Sequence, residues 1–210
     1  MSLQYNQNGT YAVVDQADYD ELIVSVSDIK KQLNISHNSD DDLILTLSHA
    51  AQNYVQDYLS KYINEQVITY STNELPIDNI IWVTRGPFIR GASGIDGNEG
   101  LYVYIATEIN VYDTLVKNTD YTYTIVDGLL RIQIINRPTL ITTLFDALVV
   151  EYTCGWSNAN IPKNIYQAIT ILAAHLYNNR DIVATGTIIS GELPFSFRAL
   201  LDMERTKLFN

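Results

Sequence analysis

The chain has 210 residues, of which 13 are Lys or Arg and 24 are Asp or Glu, so its formal net charge is −11. A protein that clamps nucleic acid carries clustered basic residues, whereas here Lys30-Lys31 is the one adjacent pair of cations. This distribution excludes a clamp on the phosphate backbone. An apolar fraction of 47% allows a buried core and excludes global disorder, and the length suits one domain or two small ones.

The sequence also carries no targeting or membrane signal. Residues 1–19 contain neither a basic residue nor an apolar run, so we expect no signal or transit peptide and folding in a cytoplasm. The most apolar long stretch, Ile165–Tyr177, is interrupted by polar residues and is shorter than the roughly 20 residues of a membrane span. Cys154 is the single cysteine, which excludes an intrachain disulfide.

The N-terminal part predicts an acidic arm followed by two helices. Residues 1–26 carry several carboxylates without compensating bases, and within them Tyr11–Val14 has the composition of a strand. Ser27 before Asp28 predicts the N-cap of a short helix that ends near Asn34. A longer helix follows Asp40-Asp41-Asp42 and runs to about residue 63. Its predicted buried stripe is Leu43, Leu47, Ala50, Tyr54 and Tyr58, widened by Ala51, Val55 and Leu59.

The middle of the chain changes to the composition of antiparallel β structure. Short runs rich in Val, Ile, Thr and Tyr are separated by turn residues. These predicted strands are residues 66–72, 79–85, 101–108, 110–112, 121–126, 129–135 and 147–154. Asp127-Gly128 between two of them predicts a two-residue hairpin turn. Gly91–Gly100 predicts the tip of a longer hairpin.

The C-terminal part predicts two more helices joined by an apolar loop. Pro162 suits the first turn of a helix whose buried stripe is Ile165, Ile169, Leu172, Ala173 and Leu176. A last helix is predicted over residues 195–209. Residues 181–194 between them have no clean period but are rich in apolar side chains, which is unusual for a solvated loop.

These elements predict an α+β fold in which a small helical bundle is built from the N- and C-terminal helices and a central antiparallel β region lies between them in sequence. We expect an arm over residues 1–26 and one domain over residues 27–210. That domain comprises helices in 27–63, the β region in 64–154, and C-terminal helices with the docking loop in 162–210.

Motifs that resemble catalytic or ligand sites have simpler explanations. Asp40-Asp41-Asp42 could bind a hard cation, but no EF-hand spacing follows, and acids in a first helical turn favour helix capping. The glycines of 91–100 lack the Lys-Ser/Thr of a phosphate loop and lie beside acids, which favours a hairpin tip. We therefore predict no catalytic residue, metal or cofactor.

The histidines and the cysteine do not change this expectation. His49 and His175 have Asn53 and Asn179 at position i+4, so the simplest helical metal pairing is absent and packing or rim roles are favoured. Cys154 ends an apolar strand, which predicts a buried thiol and not an activated thiolate.

The apolar loop and the last helix form the candidate interface. Arg180 could belong to a surface ion pair or to a contact between subunits. The loop could pack on its own helices or on a neighbouring chain, and the sequence leaves the two open. The predicted interface comprises Arg180, Ile182, Val183, Ile188, Ile189, Leu193, Phe195, Phe197, Leu200 and Leu201.

A series of short motifs resembles, in order, the C-terminal half of head-to-tail connector (adaptor) proteins of long-tailed bacteriophages. The motifs are Tyr152-Thr-Cys-Gly-Trp156, Ile161-Pro162, Gln167-Ala-Ile169, His175-Leu-Tyr-Asn-Asn-Arg180, Gly186, Glu192-Leu-Pro194 and Ala199-Leu-Leu201. Residues 27–63 resemble the opening helix pair of that family.

The resemblance implies a structural virion protein and not an enzyme. It would be made in the host cytoplasm and form a ring of about twelve identical subunits at the head-to-tail junction. The ring would join the portal protein to the next connector or tail protein, and DNA would pass through the bore without sequence-specific binding. An acidic bore would suit sliding DNA, since it avoids gripping phosphates.

Two other classes of function remain open from the sequence. Fifteen tyrosines are compatible with a carbohydrate- or protein-binding module that uses exposed rings on the β region. A small hydrolase with dispersed catalytic residues has no motif in its favour.

Overall fold

The computed structural model describes residues 9–14, 21–89, 100–156, 160–179 and 195–205. Helices and antiparallel strands confirm the α+β class. The helices are α1 (Val26–Leu33), α2 (Asp41–Leu59), α3 (Lys163–Asn178) and α4 (Phe195–Asp202). The strands are β1 (Thr10–Val13), β2 (Gln66–Thr72), β3 (Ile80–Val83), β4 (Leu101–Glu108), β5 (Val111–Thr114), β6 (Tyr121–Val126), β7 (Leu129–Ile134) and β8 (Leu148–Cys154).

The contacts divide the chain into two compact units. The β unit comprises Met1–Tyr19 and Asn64–Trp156, and the helical unit comprises Asp20–Ile63 and Ser157–Asn210. The single domain over residues 27–210 and the separate arm over residues 1–26 stay predictions. None of the helices in the described part of the chain is long and apolar enough to cross a membrane.

The β unit contains two antiparallel sheets. One has the strand order β1-β2-β8-β4-β5, and the other has the order β3-β7-β6. Residues alternate between buried and half-exposed along β2 and β8, as expected for strands with one face against a core. Tyr152 is fully buried and donates a hydrogen bond from its hydroxyl to the Arg85 carbonyl oxygen, at 2.7 Å. The inward faces of these strands therefore supply the core of the β unit.

The predicted hairpin between β6 and β7 is confirmed. Asp127 and Gly128 have φ values of 52° and 76°, the left-handed conformation that a two-residue turn requires. Two other strand boundaries differ from the prediction because asparagines adopt positive φ. Asn79 has φ 58° and precedes β3, and Asn110 has φ 60° and precedes β5, so neither can continue an extended strand.

Helix α1 begins earlier than predicted. Its N-cap is Ser25 and not Ser27, and the Ser25 hydroxyl accepts a hydrogen bond from the Asp28 amide at 3.2 Å. Helix α2 ends at Leu59 because Ser60 adopts the left-handed conformation, so residues 60–63 lie outside it. At its other end, the Asp40 side chain makes no capping hydrogen bond and instead accepts one from the Tyr177 hydroxyl.

The buried face of α2 coincides with the predicted stripe only in part, since Ala51, Val55 and Leu59 are buried as predicted. Its buried residues are Ile44, Ser48, Ala51, Gln52, Val55 and Leu59. Of the predicted stripe, Ala50 and Tyr54 are exposed. Apolar residues surround much of this helix, so periodicity alone did not decide which part faces the core. Ser48 and Gln52 are accommodated there because they bond to chain segments beside them, Ser48 to the Val24 carbonyl oxygen and Gln52 to the Ile23 amide.

The C-terminal helices follow the predicted order. Pro162 stands immediately before α3, and Ile165, Ile169, Leu172 and Ala173 are buried as predicted. Helix α4 ends at Asp202, where residues 203 and 204 form a turn, and residues 206–210 lie outside the described part of the chain.

Asp28 ties α1 to α3 and is expected to make the helical unit sensitive to acid. Its carboxylate accepts hydrogen bonds from Lys31, Ser25 and Tyr166 at 2.6–2.8 Å. These bonds, that from Lys31 foremost, lower the pKa of Asp28 from 3.8 to about 2. The stabilisation is therefore present above about pH 4 and is lost as pH falls toward 2. We expect the difference in unfolding free energy between the native chain and Asp28→Asn to shrink over that interval in urea titrations. A constant difference would contradict this assignment.

Candidate functional site

The structure describes only part of the interface that the sequence predicts. Arg180, Ile182, Val183, Ile188, Ile189 and Leu193 lie outside the described residues. Phe195 opens α4. Leu200 is half-buried, whereas Phe197 and Leu201 are fully buried.

The burial of Phe197 comes from its own subunit. Its ring contacts those of Tyr54 and Tyr58 of α2, with centroid distances of 5.8 and 6.5 Å. Phe197 and Leu201 therefore hold α4 in the helical unit. Their contact with a neighbour or a portal stays a prediction.

The side chains considered as catalytic or metal-binding candidates do not come together in the described ranges. No group of three or more His, Cys, Asp or Glu among the described residues could hold a metal ion. Cys154 is fully buried, as predicted, and burial raises the pKa of its thiol far above the ordinary value. The glycine-rich segment 91–99 lies outside the described residues.

The acidic side chains at the start of α2 make an ion pair and hydrogen bonds with other residues of the helical unit. The Lys30 ammonium lies 2.7 Å from an Asp41 carboxylate oxygen and also donates to Asn38. Asp40 accepts from Tyr177, as described above. These bonds, together with the placement of Asp41 and Asp42 at the positive end of the helix, explain the acidic triplet.

A surface whose residues the sequence did not bring together lies on the outward face of the five-stranded sheet. Tyr102 and Tyr104 of β4 are half-exposed and stack with a centroid distance of 6.2 Å. The cross-strand partners of these residues are Glu151 and Val149 of β8. We call this surface the open sheet face. Thr69, Ser71, Tyr104, Tyr112, Asp146, Val149 and Glu151 line a concavity of about 370 Å³ on it.

Glu151 is electrostatically unsatisfied within this concavity. Its carboxylate makes no hydrogen bond or ion pair with any residue in the described part of the chain, and partial burial raises the pKa of this group. Asp146, at the same surface, accepts a hydrogen bond from the Tyr112 hydroxyl. Burial, and then the charge of Glu151, raise the pKa of Tyr104. The open sheet face therefore combines aromatic area with uncompensated negative charge.

The sequence did contain a signal for this surface. Tyr102 and Tyr104 alternate with the buried Leu101 and Val103, and Glu151 lies between the buried Val150 and Tyr152. This period-two alternation predicts which side chains share a face within one strand. It does not show which strands are neighbours, so β4 and β8, which are far apart in sequence, could not be combined into one surface.

A second exposed surface is apolar and lies at one end of the β unit. Ile105 of β4 and Thr72 of β2 are both cross-strand partners of Leu148, the first residue of β8. Three connections therefore lie at the same end of the sheet: the β4–β5 turn, the β2–β3 connection and the segment before β8. Each of them presents an exposed apolar side chain. These side chains, which we call the apolar tip, are Ile77, Ile109 and Phe145, with exposed fractions of 99%, 75% and 90%.

Comparison with known sequences finds a family model that matches part of the first half of the chain. Residues 23–85 match the model of the family described as phage gp6-like head-tail connector protein. This segment contains α1 and α2, the helix pair on which the resemblance was partly based. The resemblance to head-tail connector proteins is confirmed. No curated protein matches the sequence.

Solved structures share the fold over nearly the whole chain. A chain in the neck of an empty gene transfer agent (GTA) particle, computed with C6 symmetry, matches with a TM-score of 0.69 at 17% identity. A chain of the native GTA virion matches with 0.70 at 16%. A chain of the native GTA neck, computed with C12 symmetry, matches with 0.68 at 16%. Each alignment covers 94% of this chain and 95% of the other. At these identities the likeness establishes a shared fold.

Proposed function

We propose that this chain is a non-enzymatic subunit of a virion head-to-tail connector. Many copies form a closed ring at the neck, which joins the portal protein of the head to the next connector or tail protein and lets DNA pass through its bore. The observation that carries the proposal is the agreement of two comparisons. A head-tail connector family matches residues 23–85, and the fold of neck chains from symmetric particles matches nearly the whole chain.

The two exposed surfaces support a role in assembly. A ring of identical subunits needs two different faces on each subunit, since each copy contacts the next head to tail. The open sheet face supplies one broad face with aromatic side chains, which are enriched in protein interfaces. The apolar tip supplies a separate contact surface, and we assign it to the next connector or tail component. Exposed apolar residues grouped at one end indicate contact with another molecule.

The negative charge suits a channel through which DNA slides. The net charge of −11 would repel phosphates and not bind them. Passage of DNA would then need no sequence-specific contact.

The alternative of a carbohydrate- or protein-binding module keeps one observation in its favour. The stacked rings of Tyr102 and Tyr104 lie on the open sheet face beside the concavity. A glycan screen separates the two functions, because a connector subunit is expected to bind none of the glycans.

Native mass spectrometry of the full chain, alone and mixed with its portal protein, tests the main proposal. We expect a complex with a fixed stoichiometry of about twelve copies, formed with the portal even if the isolated chain is a monomer. A chain that stays monomeric in both samples while the portal itself is assembled would contradict the connector function. The matched control is an unrelated acidic protein of similar size, which should not associate.

A further inference from the structure

Two described side chains with opposite charge occupy electrostatically unfavourable positions in the isolated subunit. The first is Glu151, whose partly buried carboxylate has no cation beside it on the open sheet face. The second is Lys163, the first residue of α3, which is exposed and whose side-chain ammonium has no hydrogen bond or ion pair in the described part of the chain.

Lys163 opposes the electrostatics of its own helix. The N-terminal end of a helix carries the positive end of the macrodipole, so a cation in the first turn is unfavourable there. Helix α3 has no acidic residue in its first turn, and its N-cap, Pro162, offers no side-chain acceptor. The Glu204 carboxylate accepts a hydrogen bond from the Asn164 side chain at 3.0 Å, but Lys163 itself has no acidic partner among the described residues. Lys163 therefore adds an uncompensated positive charge at the positive end of α3.

Several other described cations of this chain already have partners. Lys30 and Lys31 pair with Asp41 and Asp28. Arg137 donates to the carbonyl oxygens of Leu75 and Pro76. Arg198 of α4 resembles Lys163 in being exposed with no hydrogen bond or ion pair among the described residues, but it does not lie at a helix N-terminus.

We propose that in the assembled ring the open sheet face of one subunit receives the start of α3 of the neighbouring copy, with Lys163 of that copy paired to Glu151. This inference rests on the proposed ring and names the contact between its subunits. The two positions are complementary in charge, and a heterologous contact between different faces of identical chains is the type that closes a ring. Because the net charge of each copy is −11, subunits repel one another at long range, and a local pair of opposite charges offsets part of that repulsion.

Charge reversal tests this pairing in full-length chains assembled with portal protein. We expect Glu151→Lys and Lys163→Glu each to weaken assembly at least about tenfold in the concentration of half-assembly, because each places like charges together in a desolvated contact. The double variant Glu151→Lys/Lys163→Glu restores the pair with its polarity reversed and should recover most of the assembly. Glu151→Lys/Arg198→Glu is the matched control, with the same net charge, and should not recover. Because Arg198 lies on α4, Arg198→Glu alone is measured beside it and should assemble like the native chain.

The melting temperature of the isolated chain distinguishes a contact between subunits from a structural role of Glu151 and Lys163 within one subunit. Lys163→Glu places an acid in the first turn of α3 and is expected to leave the melting temperature equal or higher. Glu151→Gln removes an unpaired, partly buried charge and should also leave it equal or higher. Both variants should nevertheless weaken assembly, a combination that a purely structural residue would not give.

Three outcomes overturn the inference. They are single variants that assemble like the native chain, a double variant no better than the singles, and recovery by the Arg198→Glu control. If the native chain assembles while any of these is seen, the proposed function stands and only the pairing fails. If the native chain does not assemble with the portal at all, both fail.

Discussion

Replacing Gly155 by alanine is expected to lower the free energy of unfolding by roughly 3 kcal/mol or more, or to prevent folding of the β unit. Gly155 has φ 106°, which side chains rarely allow, and a Cβ atom there would lie 2.0 Å from the Asn64 carbonyl oxygen. The Gly155 amide also donates to the Pro87 carbonyl oxygen at 2.9 Å. The backbone is therefore held on both sides, and the clash cannot be relieved by moving a flexible side chain.

Gly128→Ala is the matched control for this prediction. Gly128 also has positive φ, 76°, but an added Cβ would meet its nearest atom, in Pro87, at 3.6 Å, an ordinary contact. Only the backbone strain remains, which costs about 1–2 kcal/mol. Urea denaturation of both variants measures the difference, and equal losses would show that the close approach to Asn64 is not the cause. The same contact gives a physical reason for the glycine in the Tyr152–Trp156 motif.

A chain that ends after Pro194 is expected to lose attachment to portal-bearing heads. The truncation removes α4, which we assign to portal contact, whereas the apolar loop before it is assigned to lateral packing on a neighbouring subunit. It also removes Phe197 and Leu201 from the core of the helical unit, and the hydrogen bond from the Tyr58 hydroxyl to Asp202, which is 2.9 Å long. Loss of attachment alone would therefore not distinguish a missing contact from a loosened helical unit.

Two further variants make that distinction. A chain that ends after Arg205 retains α4 and the hydrogen bond from Lys61 to the Glu204 carbonyl oxygen, and we expect it to attach. Phe197→Ala keeps the exposed face of α4 but should cost about 3–5 kcal/mol of stability. Attachment is measured by co-sedimentation with portal-bearing heads, and stability by thermal unfolding. If the chain that ends after Pro194 attaches normally, the assignment of α4 to the portal contact is wrong.

Local chemistry made several elements predictable. Asp127-Gly128 fixes a hairpin because only a few residues accept the backbone of that turn, and the structure has β6 at the predicted bounds. Pro162 and the apolar stripe after it predicted the position of α3. Both are local features, because each depends on residues within a few positions of one another. The order of the short motifs from Tyr152 to Leu201 also pointed to the connector family.

The errors occurred where distant contacts decided the outcome. In α2 the predicted stripe was partly right, because Ala51, Val55 and Leu59 are buried, but Ala50 and Tyr54 are exposed. Packing partners from elsewhere in the chain determined which part of the helix faces the core. Ser48 and Gln52 were not expected in that core because they are polar. Their burial is possible because residues 21–24 satisfy their polar groups, and no local sequence pattern shows that pairing. The candidate interface was centred on apolar side chains, although two of them, Phe197 and Leu201, are already buried in their own subunit.

The sequence by itself determined the element types, their order, the hairpin turn and the family resemblance, because propensity, turn geometry and hydrophobic period are properties of neighbouring residues. Tertiary structure alone decided that β4 and β8 lie side by side and bring Tyr104, Val149 and Glu151 onto one surface. It also decided that Glu151 has no cation among the described residues around it. Strand order and charge compensation depend on which distant segments meet, and that choice is made by the packing of the whole fold.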